Sequence, residues 1–140
     1  MALLNGAPQS GGFFTPKDYS AAAAILVETT EETQATKFKS TEMEPAAKSI
    51  ITVFRTPAEL EAGTPGQVLD GVITQGALGR KFLAAKNRDG SFDELAGKLE
   101  KVQLNNGNSM WDLKPLSDDN VQKLVAYMEQ RDADLPDLAK

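Results

Sequence analysis

Four cationic side chains, Arg80, Lys81, Lys86 and Arg88, fall in the segment 71–88, which contains no Asp or Glu, although the chain carries a formal net charge of -5. A local cationic excess on an otherwise acidic protein draws a polyanion to one surface and repels it from the rest. Lys37-Phe38-Lys39 adds a ring on which a base can stack, with an ammonium on either side for phosphate. Arg55, closing an apolar run, and Trp111, beside a Gly-containing turn, complete the set of candidate nucleic-acid contacts. Each has a plainer role open to it as well: a charge run is a solvated face, Phe38 anchors its loop, Trp111 caps a core. Tyr19 and Phe92 are further rings for stacking, while Phe54 and Phe82 are expected to pack inside.

Neither His nor Cys occurs in the chain. That removes the commonest general base, the Ser-His and Cys-His nucleophile pairs, disulfides and the usual zinc sites together. Carboxylate chemistry would need paired acids close in space. The acids that cluster (Glu28, Glu31 and Glu32; Glu42 and Glu44; Asp118 and Asp119) fall at strand ends, in loops or at a helix start, where solvation and capping explain them. The reading is therefore a protein that is not an enzyme and has no cofactor and no metal.

The elements that must position these side chains follow from periodicity and punctuation. A length of 140 residues suits one domain that buries its own core. Residues 1–18, rich in Gly, Pro, Ser and Asn around Phe13-Phe14, read as a flexible arm that docks through its aromatics. Residues 19–116 read as the barrel domain, and 117–140 as a C-terminal helix and acidic tail. Within the barrel, strands are expected at about 23–29, 49–55, 67–74, 98–104 and 109–116. The segment 29–48 reads as a long polar loop. Thr56, Pro57 and Glu59 form a capping box for a short helix that Gly63 stops. Gly71 marks a bulge or a tight bend, and 77–86 is helical by spacing, with Leu78, Phe82 and Ala85 on its apolar stripe. Ser91 with Glu94 suggests a second capping box, ending at Gly97.

In the last hairpin, turned by Asn106-Gly107, Val102 and Leu104 are expected inward with Lys101 outward, and Trp111 and Leu113 share one face. The final helix, capped by Ser117 or Asp118, has the stripe Val121, Leu124, Val125 and Met128. Strands before, a helix in the middle and a hairpin after fit a mainly β fold with short helices. The arrangement is a five-stranded, partly open Greek-key barrel of the oligonucleotide-binding (OB) type, with a half-barrel or sandwich as the competing architecture.

Gly12-Phe13-Phe14, Pro16, Asp18-Tyr19, Ala24-Ile25-Leu26-Val27-Glu28, Ile51-Thr52-Val53-Phe54, Gly63-Thr64-Pro65, Val68-Leu69 and Gly71 together carry a resemblance. They resemble small proteins of bacteriophages, especially phages of actinobacteria, that are regarded as single-stranded DNA-binding proteins with an OB barrel. The likeness covers most of the first 80 residues and rests on apolar strings and turn residues, so it bears on fold more than on chemistry. It implies a phage protein that coats single-stranded DNA without sequence preference during replication or recombination. The expected contacts are Lys37, Phe38, Lys39, Arg55, Arg80, Lys81, Lys86, Arg88 and Trp111.

In that reading the acidic segment 117–140 competes for the groove or recruits replication proteins. Docking arms are also a route to a homo-oligomer. The chain has no signal peptide at its start and no apolar stretch of membrane-spanning length, so the expectation is a host-cytoplasmic protein with no membrane partner. The alternative class is a virion accessory protein, capsid-decorating or assembly-related, that docks through its aromatic arm.

Overall fold

The computed structural model describes residues 9–10, 12–36 and 41–134. β1 (Gln9–Ser10), a 3-10 turn (Pro16–Tyr19), β2 (Ala24–Thr36), β3 (Met43–Phe54), α1 (Pro57–Ala62), β4 (Gln67–Thr74), α2 (Gly76–Leu83), β5 (Leu95–Gln103), β6 (Ser109–Lys114) and α3 (Asp118–Asp134) follow one another. They form one six-stranded sheet in the order β1-β4-β3-β2-β5-β6. The five long strands pair antiparallel, and the two-residue β1 runs parallel to β4. A meander of three strands, a helix and a hairpin that returns beside the first long strand make the mainly β, partly open barrel-like fold that the element order suggested.

Burial on both faces of β2 and β3 explains their unbroken apolar runs. One face carries Ile25, Val27, Ile51, Val53, Leu69, Val72, Leu99 and Leu113, closed over by Leu78 and Phe82 of α2. The other carries Ala24, Leu26 and Phe54 against Leu60 of α1 and Leu124 of α3. Gly71, at φ 72°, is the bulge: between Ser49↔Val72 and Ile51↔Leu69 two residues of β4 oppose one of β3. Thr56 accepts from the amide of Glu59, and Gly63 ends α1 in the left-handed region, as the capping box requires.

Three expectations are corrected. Residues 29–48 are not a loop but the outer half of the β2–β3 hairpin, whose pairing runs out to Thr36↔Met43. Its polar composition belongs to a solvated ribbon: Thr29, Thr30, Thr33 and Thr36 are β-branched, and Lys48 lies 3.4 Å from Glu31 on the facing strand. No helix follows Ser91. Asp89 Oδ1 accepts from the Ser91 amide at 2.9 Å and from its hydroxyl at 2.6 Å, so the turn closes on itself and β5 begins at Leu95. Gly97 is then a strand residue packed so closely that a Cβ would stand 2.5 Å from the carbonyl oxygen of Lys114.

The third correction concerns facing. Leu99 is the large apolar side chain of β5 that is buried, Lys101 stands opposite Trp111, and Val102 and Leu104 are not in the core. On α3, Leu124 is buried with Tyr127 and Met128 packed beside it, whereas Val121 and Val125 face solvent at 36% and 40% exposure.

A sheet of this curvature would close if the free edge of β4 met β6. Instead the chain before β2 occupies that edge: the Phe14 amide donates to Ile73 at 2.9 Å, and the Ile73 amide donates to Gly12 at 2.9 Å. Phe14, only 7% exposed, belongs to the core and stacks on Tyr19 with ring centres 5.4 Å apart. This segment covers what would otherwise be the free edge of β4.

Candidate nucleic-acid interface

The opening between the two ends of the sheet is a cleft of about 830 Å³. Phe13, Phe14 and Pro16 line one side, Met110 and Trp111 of β6 the other, and Thr74, Gln75, Ala77 and Leu78 the β4–α2 junction. Phe13 is 63% exposed, and Trp111 is half-buried, packed against the main core with the rest of its surface toward the cleft. Thr74 shares the inward face of β4 with Val72. It is 2% exposed, and its hydroxyl has no hydrogen-bond partner among the described residues. An unpaired buried hydroxyl costs about 1–3 kcal/mol.

The hairpin turn sets what surrounds Trp111. Pairing from Gln103↔Ser109 places Lys101 directly opposite, with its Nζ 6.0 Å from the indole centre. From α2, Lys81 reaches the same strand: its Nζ lies 2.7 Å from Asp112 Oδ1 and 3.1 Å from the Leu113 carbonyl oxygen. Lys114 stands 3.6 Å from the other oxygen of Asp112. Asp112 thus sits between two ammonium groups, with Glu100 directly across from it on β5. The Lys81 ammonium, hydrogen-bonded to Asp112, holds that carboxyl below its ordinary value of 3.8, with the Leu113 amide acting in the same direction.

Because the folded value is the lower one, the Asp112 contact stabilises fully above pH 3.8 and its contribution fades as pH falls toward the folded value. Urea midpoints measured between pH 5 and pH 3 should therefore fall further for the natural protein than for Asp112→Asn. Parallel losses would remove Asp112 as the source.

The proposed contacts divide. Lys81 and Trp111 come together on α2 and β6, and Arg80 is exposed beside Lys81 with no ion-pair partner among the described residues. Lys86 and Arg88 lie beyond the C-terminal end of α2, where Lys86 Nζ is 6.0 Å from the Phe92 ring centre. The cleft is at the helix's other end. Arg55 is not part of this surface. It hydrogen-bonds Gln67 at the start of β4, whereas the cleft begins at Thr74, roughly 20 Å along that strand. Lys37, Phe38 and Lys39 lie outside the described residues, as does the tail around Pro136.

Lys101, Lys114 and Thr74 are not among the contacts expected from the sequence, and Phe13 is expected there only as a docking aromatic of the N-terminal arm. Counting outward from a two-residue Asn106-Gly107 turn pairs Trp111 with Val102; the loop instead spans residues 105–107, closed by the Leu104 amide donating to Asn108 at 2.8 Å, and this shift brings Lys101 opposite Trp111.

The outer face of β3 and β4 is a poor alternative for a polyanion. α3 lies over it, and the recess there is lined by Glu28, Asp70 and Asp132 with Arg131 as its one base. That base is already engaged: its guanidinium holds both Glu28 oxygens at 2.6 and 3.0 Å, which raises its pKa. Among the described residues no three or more Asp or Glu are grouped to hold a metal ion, and no helix is long and apolar enough to cross a membrane. Compared with known protein families, with curated proteins and with solved structures, the chain finds no match in any of the three.

Proposed function

We propose that this protein binds single-stranded DNA without sequence preference, along the surface formed by α2 and the β5–β6 hairpin at the barrel opening. The observation that carries the reading is Lys101 standing beside Trp111 on one face of the β5–β6 hairpin, with Lys81 and Lys114 gathered around Asp112 on the other face. Bases stack on exposed aromatic faces for about 1–3 kcal/mol each, and lysines neutralise phosphates with release of counterions. The fold supports the reading in kind, since partly open five-stranded barrels of this order bind oligonucleotides. The resemblance to small phage single-stranded DNA-binding proteins points the same way, and with it go a place in phage replication or recombination and the host cytoplasm.

α3 and its acids occupy the face that such barrels commonly use, which shifts the strand toward the opening. Competition for the strand, or recruitment of replication proteins, belongs to the acidic segment 117–140, whose acids Asp118, Asp119, Glu129 and Asp132 lie on α3.

Titration of labelled oligothymidine at several salt concentrations tests this. The logarithm of affinity should fall linearly with the logarithm of salt, by about 0.7 for each phosphate contacted. An affinity that does not change between 50 and 200 mM salt, or no binding at all, would falsify the proposal.

A specific observation favours a second reading as a virion accessory subunit. Val121 and Val125 leave an apolar strip one turn long on α3, and Phe13 is exposed beside β4. Copurification with phage particles, with no affinity for oligothymidine, would select it.

A further inference from the structure

Resting on that reading, we infer that the cleft between β4 and β6 is a slot for one unstacked nucleobase of the bound strand, with Thr74 as the group that meets the edge of the base. Its size falls within the range of about 300–1,000 Å³ typical of small-ligand sites. Its walls are apolar and aromatic, with Phe13 exposed and Trp111 half-buried on opposite sides. A flat, weakly polar ring fits such walls.

Thr74 supplies the polar point. Its hydroxyl is buried and has no partner among the described residues, and the residue lies on the cleft's lining. Left unpaired in the free protein, it gains a partner when a base carbonyl or ring nitrogen enters. A hydroxyl both donates and accepts, so it serves every base and imposes no sequence. Gln75 beside it is less free to read a base, because its amide nitrogen donates to the Thr36 carbonyl oxygen at 2.9 Å. Lys101, 6.0 Å from the Trp111 ring, stands where the phosphate attached to an inserted base can be met.

The chain has one Trp, so its emission reports on the cleft directly. Thymidine 5′-monophosphate should quench Trp111 saturably, and deoxyribose 5-phosphate, which lacks the base, should bind at least tenfold more weakly. Thr74→Val should weaken the nucleotide by about three- to tenfold, the worth of one hydrogen bond, while Thr74→Ser restores it. Far-UV circular dichroism and the unfolding midpoint confirm that both variants are folded.

Equal binding of the two phosphates would overturn the slot, as would stronger competition by N-acetylphenylalaninamide, which would make it a site for a protein side chain. If oligothymidine binds with the expected salt dependence while the mononucleotide does not, the slot is wrong and the DNA reading stands. If the mononucleotide binds and oligothymidine does not, the slot stands without that reading.

Discussion

Phe54→Ala should lower the free energy of unfolding by about 3–5 kcal/mol, the usual cost of truncating a fully buried phenylalanine. Phe54 has no exposed surface and anchors the smaller of the two cores. Its ring meets Tyr127 of α3 edge-on at 5.2 Å, and Leu26, Leu60 and Leu124 close the cluster. Removing it leaves a cavity beneath α3 and takes away the platform on which that helix lies. Domains of this size have stabilities of about 5–15 kcal/mol, so the loss is a large part of the whole.

Trp111 packs against the other core and helical circular dichroism follows α3, so urea unfolding recorded both ways tests cooperativity as well as magnitude. The two curves should coincide and shift together. A loss below about 1 kcal/mol would mean that α3 is not seated on the sheet as described.

The second large effect concerns affinity. Arg80→Ala combined with Lys101→Ala removes two cations that have no ion-pair partner among the described residues, one on each element that borders Trp111. If each meets one phosphate, the salt slope for oligothymidine should become shallower by about 1.4, at about 0.7 per contact on a single strand. Between 50 and 200 mM salt that amounts to about a sevenfold difference in how much affinity the natural protein and the variant lose. Arg55→Ala, at the other end of β4, should leave the slope unchanged. Were Arg55→Ala to flatten it and the double variant not, the strand would run elsewhere. Fluorescence anisotropy of a labelled oligonucleotide gives both numbers.

Local chemistry accounts for most of what could be read in advance. β-branched and aromatic runs mark β2, β3 and β4, because such side chains suit a pleated, buried surface. Thr56, Pro57, Glu59 and Gly63 bound α1, because each satisfies or ends a helix terminus by its own backbone or side chain. Gly71 marks its bulge because that position needs a positive φ, and Asn106-Gly107 turns the last hairpin. Composition misleads in the outer half of the β2–β3 hairpin, which is paired out to Thr36↔Met43. Polarity reports solvation, and a solvated two-stranded ribbon is as polar as a loop.

The sequence by itself determined the order of the five long strands and of α1, α2 and α3, the absence of histidine and cysteine chemistry, and the cationic character of 71–88. Only the tertiary structure decided that α3 covers the outer face of the sheet, that Arg55 lies far from Trp111, and that Lys101 rather than Val102 shares the tryptophan's face. It also decided that the segment carrying Phe13 and Phe14 pairs along β4 beside a cleft whose lining includes Thr74, a buried hydroxyl with no partner among the described residues. Periodicity is carried by neighbours a few residues apart. Which edge a distant segment takes, and which face a strand turns inward, depends on register and curvature summed over the whole sheet.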